Sequence, residues 1–310
     1  MVHQLSETEL MTSRFEYMEP IFFKNRRNNE IQEEYVPSGK ILSWFYNKPL
    51  GKVSLHLLMK RKLVSSLGGW YMNSRLSKGL ITKFIQRNNI DLSIYQIKDS
   101  SAYQNFNDFF YRKIEVSKRP IGDAFVSPSD GKILAFQSMT DVASFFIKGS
   151  QFTISSFLKN NHLAKKYADG AMIIVRLAPA DYHRFHFPAD GLISKSKLIK
   201  GKYFSVSPLA LRQSLQIFCQ NTRVYSTLQT DDYGDVIISE VGASMVGSIL
   251  QTYQANTTVK KGSEKGYFAF GGSTIVLFFE KGKVKIDQDL LDNTHSGLET
   301  TVKMGENIAS

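Results

Sequence analysis

The sequence predicts an α+β protein, with a helical basic N-terminal region set on a strand-rich core of two packed sheets. Three observations carry this. Leu55, Leu58, Met59 and Leu63 recur at near-helical spacing inside a stretch dense in lysine and arginine. Beyond Pro120, short runs of Thr, Val, Ile and Phe alternate with Gly and Asp turns, the pattern of successive strands. Two phrases are also echoed within this second half. Pro128-Ser129-Asp130-Gly131-Lys132-Ile133 resembles Pro188-Ala189-Asp190-Gly191-Leu192-Ile193, and Thr257-Thr258-Val259-Lys260-Lys261-Gly262 resembles Thr300-Thr301-Val302-Lys303-Met304-Gly305. Each echo couples a turn to a strand, which predicts a pseudo-symmetric sandwich.

Three regions follow in order. Residues 1–38 are a polar lead-in of mixed charge. Residues 39–100 are a helical, membrane-binding region in which Trp44, Phe45, Trp70 and Tyr71 are interleaved with basic residues, and Gly68-Gly69 predicts a helix break. Residues 101–310 form the core. It opens with a short helix over 105–113, and further helices are expected at 154–168 and 208–219.

Composition narrows the function classes. The chain of 310 residues is 42% hydrophobic and 22% charged, enough for a sizeable core. Its one cysteine, Cys219, allows no intrachain disulfide and no cysteine-rich zinc site, and its apolar neighbours make it a small packing residue. Four glutamates in the first twenty residues, without an apolar block, argue against a secretory signal. No eighteen consecutive apolar residues occur, so a membrane contact would be peripheral. The net charge of +11 is concentrated: between Tyr35 and Ile90 there are ten basic residues and no acidic one. Such a block suits nucleic acid or an anionic lipid surface. Aromatics interleaved on a helix favour the membrane, since nucleic-acid binders more often spread them over a sheet.

Three clusters could do chemistry. They are Ser127-Pro128-Ser129-Asp130-Gly131, Asp181-Tyr182-His183-Arg184-Phe185-His186-Phe187-Pro188, and Phe268-Ala269-Phe270-Gly271-Gly272-Ser273-Thr274 ahead of the apolar run Ile275–Phe279. Taken singly they read as a turn, a pair of histidines and a loop. Together they supply an Asp, a His and a Ser, the parts needed to activate a hydroxyl. Gly272 before Ser273 permits a strained turn in which the hydroxyl reaches the preceding carbonyl. His183 and His186 could also be read as a zinc pair with an Asp, which would make a hydrolase and leave the Gly-Ser-Thr site unused.

The chain resembles the phosphatidylserine decarboxylase family, self-cleaving enzymes that depend on a pyruvoyl group. The resemblance runs from Phe106 to Glu306, with the motifs in family order: Phe106-Asn107-Asp108-Phe109-Phe110-Tyr111-Arg112, Ser127–Gly131, Tyr182–Pro188, Val241–Ile249, and Lys261–Phe268 leading into Gly272-Ser273-Thr274. Gly271 departs from it, standing where many bacterial members have leucine. The resemblance implies cleavage between Gly272 and Ser273 into a large and a small chain that stay associated, and it allows a homodimer. It selects Asp130 over Asp190 as the acid, makes His186 the base that activates Ser273, and leaves His183 for decarboxylation. It implies no metal. It further implies that Ser273 becomes a pyruvoyl group, and that phosphatidylserine joins this group as a Schiff base, loses carbon dioxide and leaves as phosphatidylethanolamine. The expected location is peripheral, at the cytoplasmic face of a bacterial inner membrane. A pyruvoyl-dependent decarboxylase of a free amino acid is the alternative within the same class.

Overall fold

A run of six buried residues, Ser273–Phe278, sets the architecture. Five of them are β-branched or large and apolar, or both, so the segment is suited to a strand covered on both faces. The computed structural model describes residues 21–34, 62–145, 152–202, 216–242, 249–269, 271 and 273–310. Lys40, Lys48, Lys52, Lys60, Arg61, Trp44 and Phe45 of the basic block lie outside the described residues, as do Ala243–Ser248 and Gly272.

The strands in chain order are β1 (Phe22–Lys24), β2 (Ile31–Glu33), β3 (Phe125–Val126), β4 (Gly131–Phe136), β5 (Met172–Leu177), β6 (Arg184–His186), β7 (Gly191–Ile193), β8 (Lys197–Ile199), β9 (Arg223–Gln229), β10 (Asp235–Gly242), β11 (Ile249–Gln251), β12 (Thr257–Val259), β13 (Glu264–Phe268), β14 (Ser273–Phe278), β15 (Glu299–Val302) and β16 (Asn307–Ala309). Eleven of them form one sheet in the order β12-β7-β9-β10-β14-β5-β4-β15-β1-β2, with β8 also on β9. β14 lies inside it, antiparallel to β10 and to β5, and Ser273 pairs with Gly242 on one side and Leu177 on the other. A three-stranded sheet, β11-β13-β6, and a pair, β16-β3, complete the core.

The α+β class is as the sequence predicts, but the two expected sheets are very unequal. One face of the large sheet packs Val175, Ile238 and Ile275 against Phe185 and Phe268 of the small sheet. The other face packs Ile174, Ile237 and Phe278 against Phe157, Leu158 and Tyr167. Those residues belong to two short helices, Ile154–Leu158 and Asn161–Lys166, with the Tyr167 cap. The single helix expected over 154–168 is divided because Lys159 adopts the left-handed conformation (φ 48°) and Asn160 caps the second helix by accepting from the amides of His162 and Leu163. Cys219 packs half-buried beside this core, and burial pushes its thiol pKa up.

The N-terminal helices differ from the expectation in one detail. Helix Lys62–Asn73 runs through Gly68-Gly69, and the break falls at Ser74, before helix Gly79–Asn88. Two glycines cost about 2 kcal/mol in a helix interior. Tertiary packing offsets this: Met72 sits with Phe106 and Phe109 of helix Phe106–Phe110, which Asn105 caps. Among the described residues no helix is long and apolar enough to cross a membrane.

The sequence echoes correspond to repeated structure. β4 pairs with β15 and β7 with β12 in matching register, Gly131 opposite Val302 and Gly191 opposite Val259. Asp130 accepts from the Met304 amide and from Lys303 Nζ, and Asp190 accepts from the Lys261 amide and from Lys260 Nζ. Gly305 and Gly262 close the two turns at φ 90° and 77°, where glycine is favoured. The halves also clasp reciprocally: the Val126 amide donates to Pro188 O, and the His186 amide to Pro128 O.

A charged link joins the small sheet to the large one. Lys265 Nζ on β13 donates to Glu240 Oε1 on β10 at 2.7 Å and to Gln251 Oε1 at 2.9 Å, with Lys265 and Glu240 fully buried. Burial lowers the lysine pKa and raises that of the glutamate, each against the other's charge. Lys265→Met is expected to destabilise the fold by about 3–5 kcal/mol, because it strands a buried carboxylate. Adding Glu240→Met should recover more than half of that, read from urea midpoints. Equal midpoints for Lys265→Met and the parent would show that the pair is not holding the sheets.

Candidate functional site

Ser273 opens β14 and is fully buried. Its Oγ lies 3.1 Å from His183 Nδ1. The other ring nitrogen, Nε2, is 3.1 Å from the carbonyl of Ala178. A carbonyl only accepts, so Nε2 carries the proton and Nδ1 is free to accept from the serine hydroxyl. The ring stacks on Phe110, with centroids 3.9 Å apart. Burial, reinforced by the positive charge of Arg112, pushes the His183 pKa down to about 3.

His186, three residues on, points elsewhere. Its Nδ1 donates to Gly262 O at 2.9 Å, and its Nε2 faces the Tyr182 hydroxyl at 3.1 Å. Burial lowers its pKa, while the carboxylates of Glu264 and Asp130 act in the opposite direction. Successive residues of an extended chain alternate faces, so a spacing of three turns the two rings apart.

Asp130 is buried at the start of β4. It accepts from Arg119 Nη2 at 2.9 Å, Lys303 Nζ at 3.1 Å and the Met304 amide at 2.9 Å. Burial alone would raise its pKa, but these partners outweigh burial and hold it below the ordinary value. Its echo, Asp190, lies out at the surface with Lys260. Of the two echoed aspartates, the one near His186 is therefore Asp130.

The expected convergence of Asp130, His186 and Ser273 within hydrogen-bonding distance is not what the structure shows. His183 makes the contact with Ser273, His186 is engaged by Gly262 and Tyr182, and Asp130 is engaged by two cations and an amide. The reason lies in the chain direction: β6 pairs with β13 so that His186 is opposite Glu264, on the side of the Gly262 turn. Ser273 is reached from the preceding Ala178–Asp181 turn, which carries His183. That turn is closed by Asp181 Oδ2, which accepts from the Ala178 amide at 2.7 Å.

Two further side chains belong to the site. The Tyr182 hydroxyl caps His186, and the Arg112 guanidinium reaches the carbonyl of Ala180 at 3.0 Å. Both lie inside motifs visible in the sequence, where their distinguishing feature is an aromatic or cationic residue beside a chemical one. The carbonyl of Ala178 leaves no trace in the sequence, since every residue has a carbonyl. Among the described residues no three His, Cys, Asp or Glu side chains cluster to hold a metal ion. Both nitrogens of each histidine are already committed to other groups.

Ser273 sits in closed surroundings. The residue is closed off from water, its hydroxyl is held by an imidazole, and Thr274 Oγ1 next to it is buried without a hydrogen-bond partner among the described residues. Gly271, two residues before, has φ 142°, a conformation that a leucine rarely adopts.

Comparison with known proteins agrees in extent. The family profile described as phosphatidylserine decarboxylase matches residues 106–310. A phosphatidylserine decarboxylase proenzyme of Fusobacterium nucleatum subsp. nucleatum is 48% identical over 291 residues, covering 93% of this chain and 97% of that protein. Proteins of the same name from Clostridium botulinum and Desulfitobacterium hafniense are 44% and 41% identical, covering 94% and 93% of this chain and 99% and 97% of their own. With Ser273 at the head of the central strand, and with relatives aligned along nearly their whole length, the chain belongs to the phosphatidylserine decarboxylase family.

Proposed function

We propose that this protein cleaves itself between Gly272 and Ser273 and then converts phosphatidylserine to phosphatidylethanolamine and carbon dioxide. The observation that carries this reading is Ser273 itself, buried at the head of a central strand with an imidazole on its hydroxyl, in a family whose members are named as proenzymes.

In the first reaction the Ser273 hydroxyl attacks the carbonyl of Gly272, and the amide becomes an ester. Loss of the α proton of Ser273 then expels Gly272 as a carboxylate. The dehydroalanine left at position 273 takes up water and releases ammonia, which leaves a pyruvoyl group at the head of the small chain. His186 is the base in this reading. A base must end as an imidazolium; the carboxylates of Glu264 and Asp130 favour that form of His186 against the opposing charge of Arg184, whereas the charge acting on His183, that of Arg112, opposes it. The serine hydroxyl therefore leaves His183 for His186 as it turns toward Gly272.

The pyruvoyl group supplies a carbonyl that takes the substrate amine and draws off the electron pair left when carbon dioxide departs. His183 stands at that place and protonates the carbon. His183 is neutral at rest, so its Nδ1 first takes a proton from the substrate ammonium as that group becomes the attacking amine. The low pKa then makes the imidazolium a strong acid toward the carbon, and the burial around it keeps water from competing. The test is direct: purified protein is incubated with phosphatidylserine vesicles, and phosphatidylethanolamine is expected. Decarboxylation of free serine or tryptophan without turnover of the lipid would overturn the choice of substrate.

We assign membrane contact to residues 39–100. Supporting this, Trp70 and Leu76 are 70% and 75% exposed beside the exposed Arg75 and Lys78. An apolar ring and side chain next to cations suit the interface of an anionic bilayer. Replacing Lys60, Arg61 and Lys62 by Ala should weaken binding to anionic liposomes by about 1 kcal/mol per charge. Binding indifferent to these changes and to salt would exclude an electrostatic contact.

A further inference from the structure

Arg112 is 1% exposed, yet among the described residues its hydrogen bonds go to neutral oxygens. Nη2 donates to Ala180 O at 3.0 Å and to the Tyr95 hydroxyl at 3.1 Å, with Asp181 O at 3.5 Å. Nη1 reaches the carbonyls of Phe109 and Phe110, at 3.4 and 3.5 Å, at the end of their helix. Nε is buried without a hydrogen-bond partner among the described residues. The guanidinium lies 4.5 and 4.7 Å from the ring centroids of Tyr95 and Phe109. A buried cation without a carboxylate is costly, and ring faces and helix-end carbonyls offset only part of that cost. A hydrophobic residue of similar size would fill the same volume, so the charge calls for another explanation.

The groups that Arg112 grips supply one. Ala180 and Asp181 belong to the turn that also carries Ala178, whose carbonyl takes the Nε2 proton of His183. Phe110, whose carbonyl Arg112 also approaches, stacks on the His183 ring. Resting on the reading of Ser273 as the reacting residue, we propose that Arg112 is a positioning residue. It pins the Ala178–Asp181 turn so that His183 is held in one tautomer, with Nε2 protonated and Nδ1 turned to Ser273. Arg112 is also the charged group acting on this ring, whose other neighbours are Phe110, the Ser273 hydroxyl and the carbonyls of Ala178 and Pro179. The charge thus keeps His183 neutral in the resting site.

The test uses the Ser273→Ala chain, so that it does not depend on activity. Imidazole nitrogen shifts of His183, assigned by comparison with His183→Gln, report tautomer and titration midpoint. The parent should show the single Nε2–H tautomer and a midpoint well below that of a free histidine. Arg112→Gln should raise the midpoint by about one pH unit or more and populate the second tautomer. Arg112→Lys retains the charge without the fork, so it should keep the low midpoint while admitting the second tautomer. Unchanged shifts and midpoint in Arg112→Gln would overturn the proposal. Should that variant not fold, an unchanged single tautomer in Arg112→Lys would do so. Either result leaves the lipid assay to decide the activity separately.

Discussion

Ser273→Ala is expected to leave the chain at full length and without measurable decarboxylation. The substitution removes one oxygen from a buried residue whose hydroxyl, among the described residues, hydrogen-bonds to His183, so the fold should survive. The chemistry should not, because in the proposed reaction this oxygen is the nucleophile for the Gly272–Ser273 bond and then departs with Gly272 as a carboxylate oxygen, the elimination that opens position 273 to water. Loss of a nucleophile of this kind can lower a rate by roughly 10⁶-fold. On a denaturing gel the parent protein should resolve into a large chain and a fragment of residues 273–310, and the variant should run as one band. A variant that still yields the small fragment would mean that another bond-breaking group operates. A parent protein that stays whole while making phosphatidylethanolamine would remove self-cleavage from the reading altogether.

The next largest effect separates the two histidines. His186→Ala should block cleavage, or slow it by about 10²–10⁴-fold, the usual contribution of a positioned base. His183→Ala should still cut but decarboxylate poorly, by a similar factor, because the substrate carbon that has lost carbon dioxide then lacks its proton donor. The two observations behind this pull in different directions. Contact favours His183, whose Nδ1 lies 3.1 Å from the serine oxygen. Charge favours His186, whose imidazolium Glu264 and Asp130 support against the opposing charge of Arg184, while Arg112 opposes that of His183. A catalytic contact can form late, as the reacting bond turns into place, but a missing counter-ion cannot be supplied by a small rotation. If His183→Ala alone abolishes cleavage, contact decides and His183 is the base. If neither change affects cleavage, the assignment of an Asp-His-Ser group to this bond fails.

The sequence by itself determined the α+β class, the basic helical entry and the apolar strand over Ile275–Phe279, because hydrophobic periodicity and turn residues act locally, while the structure starts that strand earlier, at Ser273. It also determined the repeated turn-and-strand unit, since the echoed phrases carry the same glycines and the same amide-binding aspartates. It contained Arg112, Asp130, Tyr182, His183, His186 and Ser273 within its motifs, though not Arg119, which the fold brings onto Asp130. Only the tertiary structure decided how those side chains face one another. It buried Asp130 under Arg119 and Lys303 while leaving Asp190 at the surface. It set His183 rather than His186 on the serine, and let a glycine pair stay inside a helix because Met72 packs onto an aromatic cluster. These outcomes depend on strand register and on which turn overhangs β14, and a register shift of one residue would send each side chain to the opposite face. The charge on Arg112 and the proton on His183 Nε2 are fixed in the same way, by main-chain carbonyls that every residue has and that only the fold can aim.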